Sequence, residues 1–364
     1  MRIYKYYFKN STRNETLWRK GDGGIDLKDI FFYKSFYDLL RTPDFDGKSR
    51  ILKPRHGIHY YGAPKNKVCR FCGRNENEVN FKKIAHVFPE AIGNKVLASY
   101  YECDNCNQFF GSNIENEYSN FFSLYHSIMQ INGKKGKPAY RFRAPCDKRT
   151  DQCKEYCVEF FVNDNQPYFH ECIEVAGQYI EISKDTIKIS KPVGKCNMIA
   201  VYKAIVKMAI SVMPVEELIL FSKSIAWLLE PKHSNIYPNK HLLVRYKMIP
   251  GFNVVKYPRY YLYRRKRTNW DKPYMVFNLT YGCFSLLIEV PRDNDNSFDL
   301  EFEKMPFPPI PFSTSEEGCW NMDCTDVPKG MRNSIVLNYS KQIDCTERAE
   351  IVDVNGKQRV KINN

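Results

Sequence analysis

VCRFCGRNENEVNFKKIAHVFPEAIGNKVLASYYECDNCNQFFGSNIE, residues 68–115, carries two Cys-x-x-Cys pairs with one histidine between them. Cys69 and Cys72 form the first pair, and Cys103 and Cys106 the second. Two thiolates three positions apart grip one ion from a tight turn, and two such knuckles complete the tetrahedral sulfur cage that zinc prefers. All four sulfurs are then used, so the ion keeps no open position for a substrate. Any chemistry must use another centre. The competing reading is chance clustering in a cysteine-rich chain, and the tight pairing argues against it.

The linker between the knuckles supplies that centre. NFKKIAHVFP (80–89) holds a short apolar run that predicts a strand with His86 near its end and Pro89 stopping it. A glycine turn follows, then a second strand through Leu97 to Glu102, the second knuckle, and a helix carrying Asn107, Phe110, Ile114 and Tyr118. Two strands, zinc ligands and a helix make a ββα finger.

This combination resembles the zinc-containing HNH endonucleases: Cys-x-x-Cys, His-x-x-Pro at 86–89, Gly-Asn-Lys at 93–95, and Glu-Cys-Asp-x-Cys-Asn-x-x-Phe at 102–110. It covers residues 66–120. The resemblance implies that His86 is the general base on the attacking water, a task that suits a neutral imidazole. It implies that Asn94 orients or supports that base, and that Asn107 ligates magnesium through its amide oxygen. Zinc holds the frame, and magnesium assists at the scissile phosphate. One position departs from the pattern: many members have an acidic residue or histidine just before the base, and this chain has Ala85. Of the nearby carboxylates Asp104, Glu90 and Glu115, Glu115 ranks first as a replacement ligand, because two turns of one helix would put it on the same side as Asn107. Asp104 reads equally as a helix cap. Each residue also has a plainer reading, His86 as a hydrogen-bonded structural histidine and the asparagines as turn and cap residues. His56 and His59 sit just before the finger, where contact with phosphate is one reading and a loop role the simpler one.

Lys and Arg total 55 against 41 Asp and Glu in 364 residues, a formal charge of +14. That balance favours a polyanionic partner; solubility or an anionic membrane surface is the alternative. The start, MRIYKYYFKNSTRNE, lacks a secretory apolar stretch, and nowhere does a membrane-length apolar run appear, so a cytoplasmic protein is expected. The remaining cysteines (146, 153, 157, 172, 196, 283, 319, 324 and 345) lack ligand spacing and read as buried or free thiols.

Outside the finger, FFYKSFYDLL (31–40) predicts a short helix with Asp29 as its N-cap, and turn signals occur at GDGG (21–24) and TPDFDGKS (42–49). Alternating residues from about 156 to 190 predict antiparallel strands. Met198, Val201, Tyr202, Ile205, Met208, Ala209 and Val212 then form a helical stripe, and Pro214 opens a second helix with Leu218, Phe221, Ile225 and Leu228. Strands return in HLLVRYKMI, PRYYLYRR and YMVFNLTYGCFSLLIEV. The fold class is α+β: an N-terminal arm (1–65), the ββα-metal finger (66–130), a larger domain of antiparallel strands around a helical pair (140–312), and a patternless tail (313–364). KYPRYYLYRRKR (256–267) interleaves tyrosines with cations, which makes Arg264, Arg265, Lys266 and Arg267 candidates for nucleic-acid backbone contact; an ordinary strand with one solvated face fits equally.

The expected function is a metal-dependent DNA endonuclease with structural zinc and catalytic magnesium, similar in layout to bacterial restriction or phage-defence effectors, with a homodimer or an activating partner left open. A non-catalytic zinc-dependent nucleic-acid-binding protein, and an RNase or toxin of the same finger type, are the alternatives.

Overall fold

Met198–Val212 is apolar around almost its whole circumference, and a helix of that kind must be enclosed on every side. Asn197 caps its start, the Oδ1 accepting from Ala200 N at 2.9 Å, and Pro214 stops it two residues past its end. All fifteen residues are buried, Lys203 and Lys207 included.

The computed structural model describes residues 3–8, 27–42, 57–138, 140–142, 158–163, 166–171, 180–182, 186–233, 237, 241–249, 255–267, 271–294, 299–309, 316–345, 349–354 and 357–362. The chain forms two compact units, both discontinuous in sequence: Met1–Asn10, Pro138–Lys191 and Arg332–Asn364 make one, Ser11–Lys137 and Pro192–Met331 the other. Hence the finger shares a unit with 192–331, and 140–312 is divided between the two. Both helices and antiparallel sheets are present, as an α+β chain requires.

The larger unit runs α1 (Leu27–Phe36), β1 (Tyr37–Arg41), β2 (His59–Tyr61), β3 (Ala85–His86), β4 (Leu97–Ser99), α2 (Asp104–Ser112), α3 (Ile114–Phe121), α4 (Ser123–Ile128), α5 (Met198–Val212), α6 (Ser222–Leu228), β5 (Leu243–Met248), β6 (Val255–Arg265), β7 (Met275–Gly282), β8 (Phe284–Glu289), α7 (Asp299–Lys304) and β9 (Glu316–Asn321). Six strands form one antiparallel sheet in the order β9-β5-β8-β7-β6-β1. β7 and β8 at its centre are buried at every residue on both faces, and the polar side chains they enclose bond one another, Asn278 Nδ2 donating to Ser285 Oγ at 2.9 Å and Thr280 Oγ1 to the same oxygen at 3.1 Å. The finger sheet is β2-β4-β3, with β2 parallel and β3 antiparallel to β4. It packs on the large sheet through Phe88, edge-on to Tyr260 at 5.1 Å, and through a hydrogen bond between the Tyr61 and Tyr260 hydroxyls. Each such ring buried is worth about 1.5–3 kcal/mol.

The smaller unit contains a four-stranded sheet in the order Ile3–Phe8, Arg332–Cys345, Thr186–Pro192, Ile180–Ile182; a three-stranded sheet of Tyr140–Phe142, Val158–Asn163 and Gln166–Glu171; and the hairpin Ala349–Val354 with Lys357–Ile362.

Several local expectations change. FFYKSFYDLL is half helix and half strand: α1 ends at Phe36 because Tyr37–Arg41 pair along the edge of β6. Asp29 lies inside the first turn of α1 rather than capping it. The predicted second strand stops at Ser99, and a 3-10 segment, Val215–Phe221, precedes α6. The tail is stranded, its period-two pattern diluted by charged residues as in VDVNGKQRVKI. GDGG, most of TPDFDGKS, His56, and cysteines 146, 153, 157 and 172 lie outside the described residues.

Candidate active site

The two knuckles close on each other. The Sγ atoms of Cys69, Cys72, Cys103 and Cys106 all lie within 4.8 Å of one another, and those of Cys72 and Cys103 are 3.8 Å apart. A tetrahedron with ~2.3 Å zinc–sulfur bonds has edges of ~3.8 Å, so the sulfurs stand at zinc-cage spacing. Four soft thiolates suit zinc over a hard cation. Among the described residues no other three or more Cys, His, Asp or Glu side chains cluster at ligand distance. Cys196 and Cys283 are buried free thiols, while Cys319 and Cys324 reach the surface.

His86 is the last residue of β3, paired with Ala98 of β4. Its ring is half-buried, and Nδ1 is enclosed without a hydrogen-bond partner. Burial lowers its pKa from the ordinary imidazole value; Glu90 and Glu115 oppose this, while Lys207 and Lys95 reinforce it. The ring is therefore neutral at pH 7. An unsatisfied buried nitrogen is rare enough to require a reason, and a functional role is one.

Asn94 does not hydrogen-bond to His86. Its Nδ2 donates to Phe88 O and Leu97 O, both at 2.9 Å, and its Oδ1 accepts from Leu97 N at 3.0 Å and Val96 N at 3.3 Å. All four of its hydrogen-bonding positions are used inside the loop from β3 to β4. Gly93 makes the turn possible with φ 88°, a value side chains rarely tolerate. Asn94 thus fixes the loop that sets β3 against β4.

Asn107, in the first half of α2, donates its main-chain N to Cys103 O at 2.9 Å, and its partly exposed side-chain amide makes no hydrogen bond among the described residues. The single helix expected to carry both Asn107 and Glu115 is broken. Asn113, with φ −107° and ψ −93°, ends α2 and starts α3, both its nitrogens donating to Phe109 O. The two-turn spacing argument therefore does not apply. Glu115 instead accepts a hydrogen bond from Lys207 Nζ at 3.0 Å. Asp104 Oδ1 accepts from Lys83 N at 2.9 Å, fixing the loop before β3 to α2. Ala85 is 1% exposed and pairs with Ser99, and its methyl side chain has no atom to offer a metal.

Residues from far along the chain complete the site, and the sequence reading missed them. α5 is held at three points. Near its start, Glu117 Oε2 accepts from Asn197 N at 2.7 Å. In its middle, Lys207 Nζ reaches Glu115, Glu102 Oε2 at 3.1 Å and the main-chain O of His86 at 3.4 Å. At its end, Arg70, from inside the first knuckle, donates to the carbonyls of Ile210, Ser211 and Met213. Burial opposes the Lys207 charge, but the two carboxylates overcome it and raise the ammonium's pKa. Glu102 pairs with it by distance, although its oxygens take no well-aligned hydrogen bond, and burial pushes its carboxyl up to about 7. The available signal was a pair of lysines four apart in an otherwise apolar helix.

The basic run 264–267 is mostly occupied. Arg264 bonds Glu217 at 2.6 Å and lies 3.4 Å from Asp38; Arg265 is buried and donates to Lys272 O; Lys266 donates to Lys34 O near the end of α1. These partners tie the run to the sheet edge, while Arg264 and Lys266 stay partly exposed and Arg267 is exposed. Among the described residues no helix is long and apolar enough to cross a membrane.

Residues 69–123 match the HNH endonuclease family. The match spans the four cysteines, His86, Asn94, Asn107 and Glu115, and it supports a nuclease-type function with a nucleic-acid substrate. No curated protein and no solved structure matches the chain.

Proposed function

We propose that this chain is a metal-dependent endonuclease of the HNH type that hydrolyses DNA phosphodiester bonds and acts in restriction or phage defence. The observation that carries the reading is His86: a half-buried, neutral imidazole with no hydrogen bond to Nδ1, inside the HNH match that also holds the four-cysteine cage. With Nδ1 enclosed, Nε2 is the nitrogen left to take the proton from an attacking water. A neutral ring is ready to accept it at pH 7. Asn94 keeps the β3–β4 loop in shape, and the cysteine cage ties the first knuckle to the start of α2.

Asn107 and Glu115 offer the oxygen donors magnesium takes, and one or two protein oxygens completed by substrate phosphate is its usual arrangement. Asn107 and Glu115 would hold the ion, which when bound would supply stabilisation of the charge developing on the phosphate. A second reading, a zinc-dependent nucleic-acid-binding protein without catalysis, is favoured by buried Ala85 and by the pairing of Glu115 with a lysine.

Plasmid nicking with and without magnesium, by the wild type and by His86→Ala with zinc content measured in both, separates the two. Loss of about 10²–10⁴-fold in the variant, with zinc retained, is expected of a general base. Equal nicking by both would reject His86, and no cleavage of DNA or RNA by either would favour the binding reading. RNA run beside DNA distinguishes the RNase form.

A further inference from the structure

Lys207 lies outside the family match, yet every partner of its ammonium belongs to the finger: Glu115 at 3.0 Å, Glu102 at 3.1 Å, the carbonyl of His86 at 3.4 Å, and the Phe110 ring with its centroid at 5.7 Å. The side chain is 1% exposed. A buried ion pair is weak evidence for a purely stabilising role, because well-packed apolar side chains often replace one with little loss or even a gain. Lys203, one turn earlier on the same helix and equally buried, is a natural contrast. Its ammonium faces Glu230 at 3.7 Å, His233 Nδ1 at 3.2 Å and the Trp227 ring at 4.8 Å, all outside the finger.

Lys207 joins two groups that lie on separate elements, the end of β3 with His86 and the start of α3 with Glu115. The Glu115 side chain keeps 19% exposure, so it is held inward by Oε1 while still reaching solvent.

We propose that Lys207 is a positioning residue of the nuclease site, holding the His86 peptide and the Glu115 carboxylate in a fixed relation so that Glu115 is presented to a divalent cation. The assignment rests on the nuclease reading for its chemistry, and its test includes a readout that does not.

The experiment compares zinc-loaded wild type, Lys207→Met and Lys203→Met in the full chain. Three quantities are followed: thermal midpoint, binding of Mn²⁺ alone by loss of the free-ion EPR signal, and magnesium-dependent nicking of plasmid. Removal of a group that orients a metal ligand costs about 10–100-fold in metal affinity or activity. Lys207→Met is expected to lose that much in both Mn²⁺ binding and nicking rate, with zinc retained. Lys203→Met, comparably destabilised, is expected to keep wild-type values of both. Should Lys207→Met fold poorly, Lys207→Met/Glu102→Gln removes the stranded buried carboxylate and is expected to show the same losses. Mn²⁺ binding unchanged without Lys207, or absent from the wild type, overturns the proposal. Lys207-dependent Mn²⁺ binding with no cleavage of any nucleic acid sinks the nuclease reading and leaves the positioning role standing.

Discussion

Replacing Arg70 by methionine tests how the finger and α5 are joined. One guanidinium nitrogen, Nη1, reaches the carbonyls of Ile210, Ser211 and Met213, the last two at 3.0 and 3.1 Å, and the guanidinium lies 4.5 Å over the Tyr101 ring. These carbonyls belong to the end of a helix whose last turn has no basic residue of its own. Hydrogen bonds from a charged donor are worth about 1.5–3 kcal/mol, a cation at a helix C-terminus about 0.3–1 kcal/mol, and a cation over a ring about 0.5–2 kcal/mol. The three overlap in one side chain, so a loss of about 3 kcal/mol is the reasoned value. Set against a typical stability of about 5–15 kcal/mol, that is a large fraction. Urea unfolding of the full chain at saturating zinc, followed by tryptophan fluorescence, reads it out, since Trp227 and Trp320 are buried in this unit. Arg70→Lys should regain only part of the loss, because a compact ammonium cannot reproduce the guanidinium's fork. An Arg70→Met variant within about 0.5 kcal/mol of wild type would refute the reasoning, since that is the range of an ordinary surface substitution.

Removing zinc with a strong chelator should unfold the larger unit, because binding at structural zinc sites is worth about 10–16 kcal/mol. Circular dichroism should lose helix and regain it when zinc is restored, and an unchanged spectrum would contradict a structural role for the cage. His126 supplies a pH test. It is buried, its Nε2 lies 3.2 Å from the Tyr281 hydroxyl, and burial lowers its pKa to about 3. The folded state therefore binds fewer protons than the unfolded state as the pH falls below the normal imidazole value. Its contribution is fully present above about pH 6.5 and is lost on acidification, amounting to about 2 kcal/mol by pH 5. His126→Gln should remove that part of the difference between urea midpoints at pH 7 and pH 5, and an undiminished difference would show that His126 does not titrate on unfolding.

The cysteine spacing, the placing of His86 at a strand end and the second strand were legible because each depends on residues close in sequence. The break between α2 and α3 was not, since Phe109, Phe110, Ile114 and Tyr118 keep an apolar spacing across it while Asn113 turns the chain. Lys207 was hidden for a different reason. In a sequence a lysine in an apolar helix reads as the solvated edge of the stripe, and only the fold shows that finger carboxylates enclose it. The basic run 264–267 has partners equally hidden from the sequence: Arg264 pairs with Asp38 and Glu217, and Arg265 donates to a distant carbonyl that no local pattern announces. Strand order is similarly non-local, β1 from the N-terminal region closing the sheet beside β6.

The three-point hold on α5 also affects the order of events during synthesis. Residues 69–123 leave the ribosome before α5 has been made. At about 5–20 residues per second, the interval to Lys207 is on the order of ten seconds. Throughout it the nascent finger lacks the cation between Glu102 and Glu115 and the helix end that Arg70 grips. A finger joined to a later helix in this way lacks these partners while its own message is being read, and a version shortened before that helix would lack them permanently.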